Sequence, residues 1–331
     1  MAGTGDIWAD AGDLAIAFVG NEPAAAVAPL ARIAEAGGAG GIWLANHLFQ
    51  RDPVVQAAVA LAATTDIRCA LMAISPYLVH PVQAAMTAAS LDEHFPGRVT
   101  LSLGTGAPGD LAAAGVERPR PLRTLAESLA VTRALLAGEA IDHDGEVFQV
   151  RGRTLETGAR PVPLVLAAMG PGMLRLAGEA ADGVVLSAAC SIPFVEASLA
   201  RVRAAAGGRR VRAIGLVLAS VDDVGTRAYD RLRPLLAFIL RGAHHKANLE
   251  AAGLVLDQAA LSEATATGDW DGAAGLIGDE VVAALTASGR PAQVRDAIAA
   301  YRAAGLDEVV LTDYSMTPAE LTAVLDAVRG V

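Results

Sequence analysis

The chain has 331 residues, 53% of them hydrophobic and only 4% aromatic, with a mean hydropathy of +0.41. An apolar excess made mostly of alanine and valine suits helices packed over a buried sheet, at a length one large α/β barrel can hold. A formal net charge of −10 with no basic stripe argues against a nucleic-acid partner.

In chain order, branched apolar runs predict strands at 14–19, 41–45, 67–74, 99–103, 163–168, 183–187, 211–219 and 308–312. These eight runs lack strict polar/apolar alternation, as expected of parallel strands buried on both faces. Alanine-rich helices lie between them. Proline stands where a first helical position is expected at Pro53, Pro81, Pro171, Pro193, Pro291 and Pro318, where its fixed φ helps and its missing N–H costs nothing. Asp52, Ser191 and Thr317 offer capping oxygens, and Gly37, Gly207 and Gly305 close helices. The pattern predicts an α/β (β/α)₈ TIM barrel forming a single domain over 1–331. Insertions are expected after strands 4 and 7: 104–162, with a helix near 122–136 and the strand-like "EVFQV", and 222–290, mostly helical.

The longest charge-free run, 69–91, is broken by Pro76, His80, Pro81 and Gln83, so no membrane span is expected. The first residues lack the basic end and apolar stretch of a signal peptide. Cys69 and Cys190 sit in apolar contexts and read as reduced thiols of a cytoplasmic protein.

In such a barrel the loops after the strands carry function. They offer Asn21 and Glu22, Asn46 and His47, Ser75 and Pro76, Gly104-Thr105-Gly106, Met169 to Gly172, Ser187 to Ser191, Asp222 and Asp223, and finally Asp313 and Tyr314. Lys246 is the only lysine and lies in a helical segment, which excludes a Schiff-base aldolase. The third to sixth strand ends bring no carboxylate or histidine, and the adjacent His244 and His245 are expected to diverge on a helix; no metal site is expected. "GTGAPG" at 104–109 matches a dinucleotide fingerprint weakly, and a glycine turn that lets a flat ligand approach the backbone explains it as well. The strand–Gly170-Pro171-Gly172–helix junction is either an anion pocket or a tight turn. His47 is either an active-site group or a helix cap; Glu22 is either a proton donor or a solvated loop residue. Trp43 reads as barrel core.

The stretches "GIWLANHLFQRDP", "AISPYLVHP", "GRVTLSLGTG" and "LAAMGPGMLRLAGEAADGVVLS", in this order and spacing, resemble the luciferase-like flavin/F420-dependent oxidoreductase superfamily. The chain is most similar there to the methylenetetrahydromethanopterin reductase branch. The resemblance runs from about 14 to 191 and resumes at 288–313. It implies a homodimeric (β/α)₈ barrel that holds a flavin or deazaflavin over its C-terminal mouth, with the phosphate at Gly170, Pro171 and Gly172. It also implies a bulge in the third strand with a non-prolyl cis peptide at Met72–Ala73, followed by Ile74 and Ser75. Asn46, Gly104, Thr105, Gly106, Ala168, Met169 and Ser187 complete the implied cofactor contacts, and His47 maps near the reacting face. Asn46 stands where relatives often carry an acidic residue, and Met72 where they carry a small one.

The function these features imply is an F420-dependent oxidoreductase moving a hydride between the deazaflavin and a small organic substrate. The alternative is an FMN-dependent monooxygenase or reductase of the same fold. From another class, the alternative is a non-catalytic or degenerate flavin-binding barrel. Arg118, Arg120 and Arg123 are the rim positions suited to an anionic F420 tail.

Overall fold

The computed structural model describes residues 7–8, 12–313 and 316–330; Tyr314 lies outside them. Its strands are β1 (Leu14–Phe18), β2 (Gly41–Ala45), β3 (Arg68–Ile74), β4 (Val99–Leu103), β5 (Ile141–Asp144), β6 (Gln149–Arg153), β7 (Leu164–Ala167), β8 (Gly183–Leu186), β9 (Arg212–Val221), β10 (Thr286–Gly289) and β11 (Glu308–Thr312). Eight of them pair in parallel in the order β1, β2, β3, β4, β7, β8, β9, β11, and β11 pairs back onto β1. The result is a closed (β/α)₈ barrel whose strands are the eight predicted ones.

Side chains alternate along each strand, so one set faces the helices and the other fills the barrel. Ile16, Ile42, Leu44, Leu71, Leu101 and Leu166 belong to the helix-side core. Ala17, Trp43, Ala70, Val165, Val185 and Ile214 form the interior core. Helix starts follow the prolines: Pro53, Pro81, Pro171, Pro291 and Pro318 are first residues of their helices. Pro193 is instead the second residue of Ile192–Ala206, capped by Ser191.

Between β4 and β7 lie the helices Pro108–Ala113 and Pro121–Leu136 and the antiparallel β5–β6 hairpin. The expected strand at "EVFQV" is shifted toward the C-terminus. The amides of Glu146, Val147 and Phe148 all donate to the carboxylate of Glu127, at 2.9 to 3.0 Å, so these residues make the turn and pairing begins at Gln149. Between β9 and β11 run five α-helices from Gly225–Leu240 to Asp279–Leu285, then β10, which pairs with the far half of β9. No described helix is long and apolar enough to cross a membrane.

The barrel floor is polar and closed. Trp43 donates its indole N–H to Glu308 at 2.7 Å, and Arg212 reaches the other carboxylate oxygen of Glu308 at 3.0 Å. Trp8 covers this pair, with the Arg212 and Arg68 guanidinium groups 5.2 and 5.7 Å from its ring centre. Trp43 is therefore core, held at the end away from the mouth.

Candidate active site

Carried round the barrel, the strand registers sort inward residues into tiers drawn from alternate strands. One tier is Ala17, Met72, Ala167 and Leu216. The next toward the C-terminal mouth is Ala45, Gly104, Ser187 and Thr312, none larger than threonine. Bulky side chains such as Met72 and Leu216 thus give way in the next tier to small ones, of which Ala45, Gly104 and Thr312 are buried. The Thr312 hydroxyl is buried there and has no hydrogen-bond partner among the described residues.

β3 supplies the wall beside this tier. Its register slips against β4 between Leu71 and Ile74, and the Met72–Ala73 peptide is cis. Met72 packs inside the barrel, Ala73 is half-buried, and Ile74 turns to the helix-side core. Ser75 is buried, its hydroxyl 3.4 Å from the Thr105 carbonyl, which joins this strand end to the Gly104–Gly106 turn. A Cβ on Gly104 would stand 2.8 Å from that of Ala73 and 3.2 Å from that of Ala167. Glycine here is a packing requirement. Gly104→Ala is expected to lower unfolding stability by about 1–3 kcal/mol through overpacking, read as a fall in the urea midpoint. An unchanged midpoint would show that this wall yields freely.

At the end of β2, the Asn46 amide donates to the Met72 carbonyl at 2.6 Å, tying His47's neighbour to the bulge. Arg51 then anchors the loop to the carbonyls of Gly20 and Asn21. The helix that follows is capped by Asp52, whose carboxylate accepts from Val54 and Val55 at 2.8 and 3.1 Å. His47 is five residues upstream, so it is not the cap. It is half-buried, and burial lowers its pKa below the usual 6.5 against the opposing charges of Asp110 and Glu22. The imidazole is accordingly neutral near pH 7. Glu22 is buried with its two oxygens accepting from Val19 and Gly20 at 2.8 and 2.9 Å, so its side chain is held at the end of β1.

The β7 end is the exposed Gly170 and Pro171 turn, with Gly172 half-buried, opening the helix Pro171–Ala180. Ala168 packs on the helix side, so only its main chain is available at the mouth. Met169 touches Cys190 through sulfur at 3.6 Å. The loop after Ser187 is clamped by Asn248, which accepts from the Ser191 amide and donates to the Ala189 carbonyl, both at 2.7 Å. Tyr301 donates to the Cys190 carbonyl at 2.8 Å.

Reading along the chain missed Asp110, Thr312 and Asn248. Asp110 looks like a dipole residue in the first turn of Pro108–Ala113, and only folding brings its charge to His47. His244 and His245 do not diverge. They lie on or beside a 3₁₀ turn with ring centres 4.4 Å apart. Among the described residues no group of three or more potential ligands could hold a metal. Asp222 organises the turn before the helix Gly225–Leu240 by accepting from the Val224 amide at 2.9 Å.

The family described as luciferase-like monooxygenase matches residues 7–308. The chain belongs to that family. It is 31% identical over 285 residues to 5,10-methylenetetrahydromethanopterin reductase of Methanolobus tindarius, covering 83% of this chain and 86% of the relative. Its fold matches the coenzyme F420 dependent tetrahydromethanopterin reductase of Methanopyrus kandleri with a TM-score of 0.86 at 22% identity, over 96% of this chain and 98% of that one. A monooxygenase from Streptomyces bottropensis shares the fold at a TM-score of 0.71 and 22% identity, over 95% and 97% of the two chains. The implied cis peptide at Met72–Ala73 is present in this luciferase-like barrel.

Proposed function

We propose that this luciferase-like protein is an F420-dependent oxidoreductase, of the methylenetetrahydromethanopterin reductase kind, that moves a hydride between the deazaflavin and a small organic substrate. The observation that carries the reading is the tier of Ala45, Gly104, Ser187 and Thr312 over a filled barrel. A tier of small side chains above Met72 and Leu216, with one buried hydroxyl that has no hydrogen-bond partner among the described residues, fits a planar ring with polar edges. Similarity to the Methanolobus tindarius reductase over 83% of the chain, together with the match to the coenzyme F420 dependent tetrahydromethanopterin reductase of Methanopyrus kandleri, favours F420 over FMN.

In this reading Gly104 and the Met72–Ala73 strand end back the ring, and Gly170, Pro171 and Gly172 receive the phosphate at a helix N-terminus. F420, when bound, supplies the hydride chemistry. The chain's own work is binding, orientation and proton handling. Neutral His47 at the mouth is placed to hold or take a proton on the substrate side, with Asp110 and Glu22 near enough to favour its protonated form. The segments after β4 and β9 exclude water. The test is to mix the protein with reduced F420 and methylenetetrahydromethanopterin without oxygen and follow the return of oxidised-cofactor fluorescence. Catalysed return supports the reading; no return above the uncatalysed rate rejects that substrate class.

A further inference from the structure

Three residues beyond the end of β8 are held by side chains from distant parts of the chain. Asn248, on the helix Lys246–Ala251, accepts from the Ser191 amide and donates to the Ala189 carbonyl, both at 2.7 Å. The Ser191 hydroxyl donates to the Asn248 carbonyl at 3.4 Å and accepts from the Phe194 amide at 3.3 Å. Tyr301, on the helix Pro291–Ala303, donates to the Cys190 carbonyl at 2.8 Å. Asn248, Ala189, Cys190 and Ser191 are all buried.

The backbone inside this clamp is strained. Ala189 has a φ of +59°, in the left-handed region where a Cβ crowds the following carbonyl and glycine is the ordinary choice. Phe49 and Arg120, the other non-glycine residues with left-handed backbone among the described residues, are both exposed; Ala189 is buried. Such a conformation persists only where its surroundings fix it. The Asn248 amide, bonded to the groups on either side of Cys190, does so here.

The clamped residues also join two parts of the molecule. Ala188 and Ala189 belong to a second apolar core with Leu236, Leu249 and Val282, which come from the helices between β9 and β10. Toward the barrel, Ser187 precedes them in the tier of small residues. The Cys190 sulfur touches that of Met169, next to the Gly170–Gly172 turn, at 3.6 Å. The loop therefore stands between the helical insertion and two strand ends of the mouth.

We propose that Asn248 is a positioning residue that couples the helical insertion to the mouth: by holding Ala189 left-handed, it sets Ser187 and Met169 for the ligand. The proposal rests on the F420 reading above. The coupling is reciprocal, so a ligand at the mouth and the docking of helix Lys246–Ala251 stabilise one another through the loop.

The test combines an anaerobic fluorescence titration with F420 and hydrogen exchange. Asn248→Ala is expected to weaken F420 binding by roughly 5- to 30-fold. Ala189→Gly/Asn248→Ala is expected to recover most of that loss, because glycine takes the left-handed backbone without the clamp. Tyr301→Phe keeps the ring and removes only the bond to Cys190; a loss of roughly 2- to 5-fold is expected. Leu249→Ala opens the insertion core beside the clamp and should lower the urea midpoint with F420 affinity unchanged. F420 should slow amide exchange over 246–251 in the unmodified protein and leave it unchanged in Asn248→Ala. Unchanged F420 affinity in Asn248→Ala, or in Tyr301→Phe should Asn248→Ala not fold, overturns the positioning role and leaves the F420 reading in place. An equal loss in Leu249→Ala, or no recovery in the double variant, overturns it as well. No binding of F420 to the unmodified protein rejects the F420 reading and the positioning role with it.

Discussion

His47→Ala is expected to lower kcat/KM by about 10²- to 10⁴-fold, the range for losing a positioned proton-transfer group. Affinity for F420 is expected to stay nearly unchanged, because the support proposed for the ring is the small tier and the β3 bulge, which the substitution leaves in place. The reason lies in how His47 is held. Asn46 ties it to the Met72 carbonyl, Arg51 fixes the far side of its loop, and Asp52 performs the capping that would otherwise explain a polar residue here. The pH dependence follows from the direction of its shift. Burial lowers the pKa below 6.5, so the neutral imidazole persists through neutral pH, and the rate should fall only as pH drops through that lowered value. Asp110 and Glu22 oppose the shift. Asp110→Asn should therefore move the acidic limb to still lower pH. His47→Gln keeps a hydrogen-bonding side chain but should lose the limb altogether. A His47→Ala enzyme with unchanged kinetics would leave a barrel that binds cofactor without using this residue.

Glu308→Ala is expected to destabilise the barrel by about 3–5 kcal/mol, the cost of stranding a buried charge. Arg212 is 4% exposed and Glu308 6%, and the Trp43 indole adds a third member to the cluster. Burial raises the Glu308 carboxyl pKa, with Trp43 and Arg212 acting against it. Removing the carboxylate takes the Glu308 ion pair from the buried Arg212 guanidinium at the closed end of the barrel. The double variant Glu308→Leu/Arg212→Met should recover much of the loss, since well-packed apolar groups often replace a buried pair at little cost. Urea unfolding of the three proteins reads both effects. A single variant as stable as the parent would show that water already reaches the pair.

Much of the fold was legible because it is written in local terms. Eight runs of branched residues lie within two residues of the barrel strands, and five of the six prolines expected to open a helix stand at its first position. β10 was not legible. "TASG" carries no branched run and reads as a loop, and only the long β9 beside it makes it a strand. The hairpin register was hidden for a related reason: Glu127, some twenty residues away in sequence, decides which amides turn and which pair. The site shows the same division. His47, Gly104 and the Gly170–Gly172 turn stand out as strand-end residues. Thr312 and Asp110 do not, because an orphaned hydroxyl and a charge aimed at an imidazole exist only after distant strand ends converge.

The most direct measurement is an oxygen-free titration of the cofactor-free protein with F420 and, separately, with FMN, followed by fluorescence. Saturable, tight binding of F420 with FMN bound far more weakly is the expected result for a deazaflavin-dependent reductase. Tight binding of FMN alone would contradict it and turn the search to oxygen chemistry on the same barrel.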